Sequence, residues 1–232
     1  MRGTFVIAMI LLAFAEAFSF SGLARGQDAS PRPASADFSK PVSIDGIAVR
    51  IESDIITDSQ VRELAAYQRL VDGESQPRSE VIRELIDQWI IRGEATAAQY
   101  PQPSKTDVDK AFEGLERKIG SAEQFRQRCL SAGITEDAVR RILAQQIYLT
   151  RFLDFRFRPA AQVSAAQIQK YYDDHLVPQL KAKGEKVPPL SDVQAEIREV
   201  LTQQDIDKLS KQWLDDTRSG LNIDIVAQGE GN

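Results

Sequence analysis

The sequence predicts a mostly α protein with a small β element, a multi-helix body closed by a small sheet of N- and C-terminal strands. Two observations carry this. Apolar residues recur at helical spacing through the middle of the chain, and a period-two alternation stands near each end, in residues 47–52 and 221–226. A lone strand is weak in water, so two that lie far apart in sequence are expected to pair with each other.

The chain opens with Arg2 and then an apolar run from residue 5 to 20, broken only by Glu16 and Ser19. A positive start followed by such a run predicts a secretory signal over residues 1–26, with Ala24 and Gly26 as the small residues before cleavage. A membrane anchor is the competing reading, but Glu16 interrupts a stretch that would have to be about 20 residues long and free of charge. Residues 27–42, rich in Ala, Ser, Pro and Asp, read as a flexible leader that cannot pack a core.

The helical body is expected over residues 43–176. Ile47, Val49 and Ile51 form the apolar side of a first strand, Ser53 and Asp54 turn it, and Ile55 and Ile56 make a short return. Thr57 and Gln60 stand at capping-box spacing, so a helix should run over 58–72. Val81, Ile82, Leu85, Ile86, Trp89 and Ile90 give the next helix a wide apolar face, and Pro101 and Pro103 end it. Ser104 with Asp107 caps a third helix bearing Phe112, Leu115 and Ile119, and Gly120 with Ser121 opens a fourth through Phe125 and Cys129. From Thr135 the longest periodic stretch continues through Phe152, Phe155 and Phe157 until Pro159 stops it. Ser164 and Gln167 cap a helix with Ile168, Tyr171 and Tyr172, which Pro178 should break.

Residues 177–189, charged, glycine-containing and proline-terminated, read as an exposed linker. A last helix should then start at a Ser191–Gln194 cap and carry Val193, Ile197, Ile206 and Trp213. With the alternating segment after Gly220, residues 190–227 form the closing helix and strand. Trp89 and Trp213 lie on apolar helix faces, so both rings are expected to be largely buried.

The chemistry-bearing residues are few. His175 is the single histidine, which excludes a histidine-cluster metal site and histidine-pair catalysis, and its neighbours place it on an exposed helix. Cys129 is the single cysteine, so no internal disulfide forms, and its apolar spacing predicts a buried, inert thiol. Nucleotide, zinc-protease and serine-hydrolase motifs are absent from the sequence, and no cofactor is expected. Asp173 with Asp174 and Asp215 with Asp216 read as solvated helix-end charges. The whole chain carries a formal charge of −5, and removing residues 1–26, with two arginines and one glutamate, takes it to −6. That balance argues against a nucleic-acid surface.

Several runs together resemble the N-terminal domain of the periplasmic SurA-type chaperones. They are IDGIAVRIESDIITDSQ from Ile44, VIRELIDQWIIR from Val81, SKTDVD from Ser104, GSAEQF from Gly120 and DAVRRILAQQI from Asp137. In order they cover most of residues 44–158. The resemblance implies a peptide-binding helical domain that a C-terminal helix and strand return to complete. Family members often carry parvulin-type prolyl isomerase domains between the Tyr171–Tyr172 helix and the closing helix, where this chain has only residues 177–189. A domain of that kind needs on the order of a hundred residues, so the resemblance implies the chaperone module without its enzyme.

The expected function is then an ATP-independent holdase in the periplasm, a non-enzyme that binds unfolded or partly folded exported polypeptides in an apolar groove. Leu115, Ile119, Phe152, Phe155 and Phe157 are the candidate peptide-binding residues, although each also fits core packing. Two alternatives stay open: an envelope scaffold or assembly protein that holds one fixed partner, and a parvulin-type isomerase. No membrane span is expected after signal cleavage, and a homodimer that exchanges terminal elements is a further possibility.

Overall fold

β1 (Ile47–Ile51) and β2 (Asp54–Thr57) form an antiparallel hairpin. Its two-residue turn places Glu52 at φ +49°, a left-handed value suited to a tight hairpin. The computed structural model describes residues 45–226, so the expected signal over 1–26 and leader over 27–42 lie outside the described residues. β3 (Ile223–Ile225) returns to the free side of β1 and completes an antiparallel sheet of order β2-β1-β3, with Val49 opposite Ile225 and Ile51 opposite Ile223. The expected pairing of the two chain ends is therefore present.

Two details of that sheet differ from the expectation. Its register shifts between Ile47 and Val49, and Ala48 is buried along with Val49 and Ile51, because an irregularity in the ladder breaks the period of two. Ile225 is exposed rather than continuing the apolar face, since a three-residue edge strand has no neighbour on its outer side.

The helix starts follow their side chains. α1 (Asp58–Asp72), α3 (Lys105–Ile119) and α4 (Ala122–Ala132) begin with capping boxes at Thr57–Gln60, Ser104–Asp107 and Ser121–Gln124. Thr135 caps α5 (Glu136–Phe157), and Ser164 with Gln167 boxes the start of α6 (Ala165–Tyr171). Each box satisfies amide groups that the first helical turn leaves without partners. α2 (Arg78–Ala97) starts after Pro77 without a side-chain cap.

The region read as a linker is helical over its first part. α6 passes through a π turn, Tyr172–Leu176, into α7 (Val177–Ala182). Pro178 has no N–H and its ring crowds the preceding turn, and the wider π spacing accommodates both defects. The amide of Val177 accordingly donates to the carbonyl of Tyr172, five residues back. The chain then turns at Gly184 and reaches Pro189, with the Tyr172 hydroxyl donating to the Pro188 carbonyl at 2.7 Å. α8 (Leu190–Ser219) starts directly after Pro189, so Ser191 lies inside the helix instead of capping it. The fixed φ of proline already sets the helix entry there.

The core gathers the inner face of the hairpin with α1 to α5, and Leu214 of α8 joins it. Ile168 of α6 and Ile197 and Ile206 of α8 are also buried, and α8 packs on α2, α5 and α6. α8 is also fastened to α2 by an ion pair between Arg218 and Asp87, which is nearly inaccessible to solvent. Arg218 bonds Asp215 at 2.9 Å as well. Burial pushes the Asp87 carboxyl up from its ordinary range, against the pull of Arg218.

Candidate functional site

A cleft of about 80 Å³ opens where β2, α1, α2 and α5 meet. Helical spacing brings Leu85, Gln88, Trp89 and Arg92 to one stripe of α2, so a single helix face supplies apolar, amide and cationic groups together. β2 contributes Ile55, which is 50% exposed, and Ile56, which is buried. Leu64 of α1 and Ile142 of α5 complete the apolar lining.

Hydrogen bonds hold the cleft walls in place. The Trp89 indole N–H donates to Asp54 at 2.9 Å, tying α2 to the start of β2. Gln145 of α5 donates to the Gln88 oxygen at 2.8 Å, and the Tyr67 hydroxyl donates to the Gln146 oxygen at 3.0 Å. Burial raises the Tyr67 phenol to about 12, so it stays neutral and able to donate at physiological pH. Arg141 pairs with Glu63 at 2.6 Å on the rim. What remains is a slot that apolar side chains share with the amides of Gln60, Gln88, Gln145 and Gln146 and with two charged groups, Glu63 and Arg92.

None of the five residues expected to bind peptide lines this cleft. Leu115 is 3% exposed and Phe152 2%, and both belong to the core, where a ligand reaches them only if the helices part. Ile119 is partly buried against the same core. Phe155 is 61% exposed and leans on Tyr100 with ring centroids 5.3 Å apart. Phe157 is half-buried against Trp213 at 5.8 Å, with the Arg156 guanidinium 4.9 Å from the indole. The structure thus divides the five between core packing and two aromatic contacts around α5. The signal that was available for the cleft is the stripe on α2, whose polar members Gln88 and Arg92 interrupt an otherwise apolar face.

The remaining reactive groups sit as ordinary side chains. Cys129 is buried, and burial pushes its thiol up and away from the reactive thiolate form. His175 is exposed and stacks on Tyr171 at 5.1 Å. Asp174 pairs with Lys170 at 2.6 Å. Among the described residues no three His, Cys, Asp or Glu side chains converge as metal ligands, and no helix is long and apolar enough to cross a membrane. Trp213 and Trp89 both pack against the core with most of their surface covered, as their apolar positions suggested. The Trp89 indole finds its acceptor in Asp54, and the Trp213 ring carries the Arg156 guanidinium.

Comparison with models of known protein families found no match, and comparison with curated proteins found none either.

Proposed function

We propose that the chain is an ATP-independent periplasmic chaperone of the SurA type, a holdase for unfolded exported or outer-membrane polypeptides. The observation that most supports this reading is the return of α8 and β3 to the N-terminal hairpin, the closure that the resemblance implies for this module. The cleft beside β2 adds a surface of suitable chemistry, with apolar side chains for a client's side chains and amides that can serve its backbone.

A holdase works without fuel if each contact is weak. One apolar client side chain moved out of water contributes about 1.5–3 kcal/mol before the cost of ordering the chain is subtracted. One or two such contacts hold a client briefly and release it unaided. Residues 177–189 leave no room for an isomerase domain, so the proposal includes no prolyl isomerase activity.

The test is an unfolded outer-membrane polypeptide diluted from denaturant with residues 27–232, without nucleotide, beside a refolding reaction limited by proline isomerisation. Suppressed aggregation is expected, with an unchanged slow phase. Uncatalysed isomerisation takes roughly tens to hundreds of seconds, so any catalysis would be visible. Aggregation that proceeds unaltered at several-fold excess removes the holdase reading, and an accelerated slow phase restores the isomerase.

A further inference from the structure

We infer that the cleft between β2 and α2 takes the carboxy-terminal end of an extended polypeptide, its last side chain in the slot, its backbone on Ile55 and its carboxylate on Arg92. The inference rests on the chaperone reading and names the part of a client that this site holds.

The strand geometry supplies the backbone contact. Glu52 and Ala48 bond across to the β3 side, through Glu52 N–H to Asn222 O at 3.1 Å and Val226 N–H to Ala48 O at 2.9 Å. Val49 and Ile51 therefore turn their peptide groups to β2, where they face Ile56 and Asp54. Ile55, between those two, must point its N–H and C=O away from β1, to the open edge of the sheet. Neither group has a hydrogen bond among the described residues. An added strand uses such a pair of groups.

The same edge is short. The next outward amide, that of Thr57, is already taken by the Gln60 side chain in the α1 capping box, at 2.8 Å. Toward the turn, β2 begins at Asp54, whose peptide groups face Ile51 of β1. A ladder limited to one residue suits a chain end better than a strand passing through. Charge selects which end. Arg92 lines the slot and makes no salt bridge among the described residues, whereas the carboxylate in the same lining, Glu63, is already paired with Arg141 at 2.6 Å. The free cation matches a carboxylate and repels an amino terminus. The amide nitrogen of Gln146, whose oxygen is occupied by Tyr67, remains as a further donor facing the same lining.

The experiment measures binding of a short fluorescein-labelled peptide ending in leucine, as its free acid and as its carboxamide, to residues 27–232. The free acid is expected to bind at least about tenfold tighter, the factor equivalent to one charge-assisted contact of modest strength. Arg92→Gln should remove that difference while leaving carboxamide binding in place, and Leu85→Trp, which fills the slot, should weaken both peptides. Circular dichroism checks that each variant keeps the wild-type fold. Equal binding of the two peptides, a preference that survives Arg92→Gln, or no binding of either peptide overturns the inference. If aggregation is suppressed but acid and carboxamide bind alike, this inference alone fails. If the acid preference is present but aggregation is not suppressed, the chaperone reading alone fails.

Discussion

Tyr67 shows how a single side chain links the core to the cleft. Its ring packs in the core while its hydroxyl orients Gln146 at the cleft wall. Burial disfavours the phenolate and raises the group to about 12, against an unfolded value of about 10. The folded state consequently holds this proton more tightly. Its advantage is intact up to about pH 10 and declines as the pH rises toward about 12. Tyr67 should ionise late in a phenolate absorbance titration, and Tyr67→Phe should remove that late component. A Tyr67 that titrates at its unfolded value of about 10 would place it outside the core. At this scale the sequence was legible where one residue acts on its neighbours: Thr57, Ser104, Ser121, Thr135 and Ser164 all cap the helices their spacing predicted. It was less legible for Leu115 and Phe152, because an apolar position on a helix looks the same whether a ligand or another helix covers it.

Between elements, the Asp87–Arg218 pair fastens α8 to α2 across 131 positions of sequence. No local pattern announces such a pair, and Asp87 sits in a helix face read mainly from its apolar members. Removing one partner leaves a buried charge alone. Asp87→Leu in chemical denaturation should therefore cost about 3–5 kcal/mol, whereas Asp87→Leu combined with Arg218→Met should recover most of that loss. A single variant as stable as wild type would show that water reaches the pair freely. The π turn before Pro178 escaped prediction for a related reason. Proline forbids one regular hydrogen bond, but the chain has two responses, to stop or to widen, and neighbouring packing decides between them.

The sheet is the other test of element pairing. β3 covers the second side of β1, and Leu221 and Ile223 pack on the core. Deleting residues 221–232 should lower stability by about 2–4 kcal/mol through lost apolar burial and ladder bonds, and should do so in one transition that includes the helices. Unchanged helix unfolding would mean that the strand is an appendage. The pairing was readable beforehand because both segments alternate with period two and neither has another partner. The bulge at Ala48 was not, since an extra residue in the ladder leaves no mark on the alternation of Ile47, Val49 and Ile51.

For the whole molecule, closure by its own ends explains how a chain with no disulfide holds together. The hairpin and five helices share one core, and α8 crosses back to lock it through Leu214, Arg218 and β3. That plan leaves a slot at the hairpin edge and separate aromatic contacts around Phe155 and Phe157. The mostly α class with a small sheet was legible from periodicity, while the cleft was not, because it arises only when four elements converge.

The proposed chaperone role is tested most directly by breadth of binding. Residues 27–232 should suppress aggregation of several unrelated unfolded exported polypeptides, without nucleotide, and should not bind their folded counterparts. Tight binding to one folded partner, with no effect on unfolded chains, would contradict the account and identify a scaffold instead.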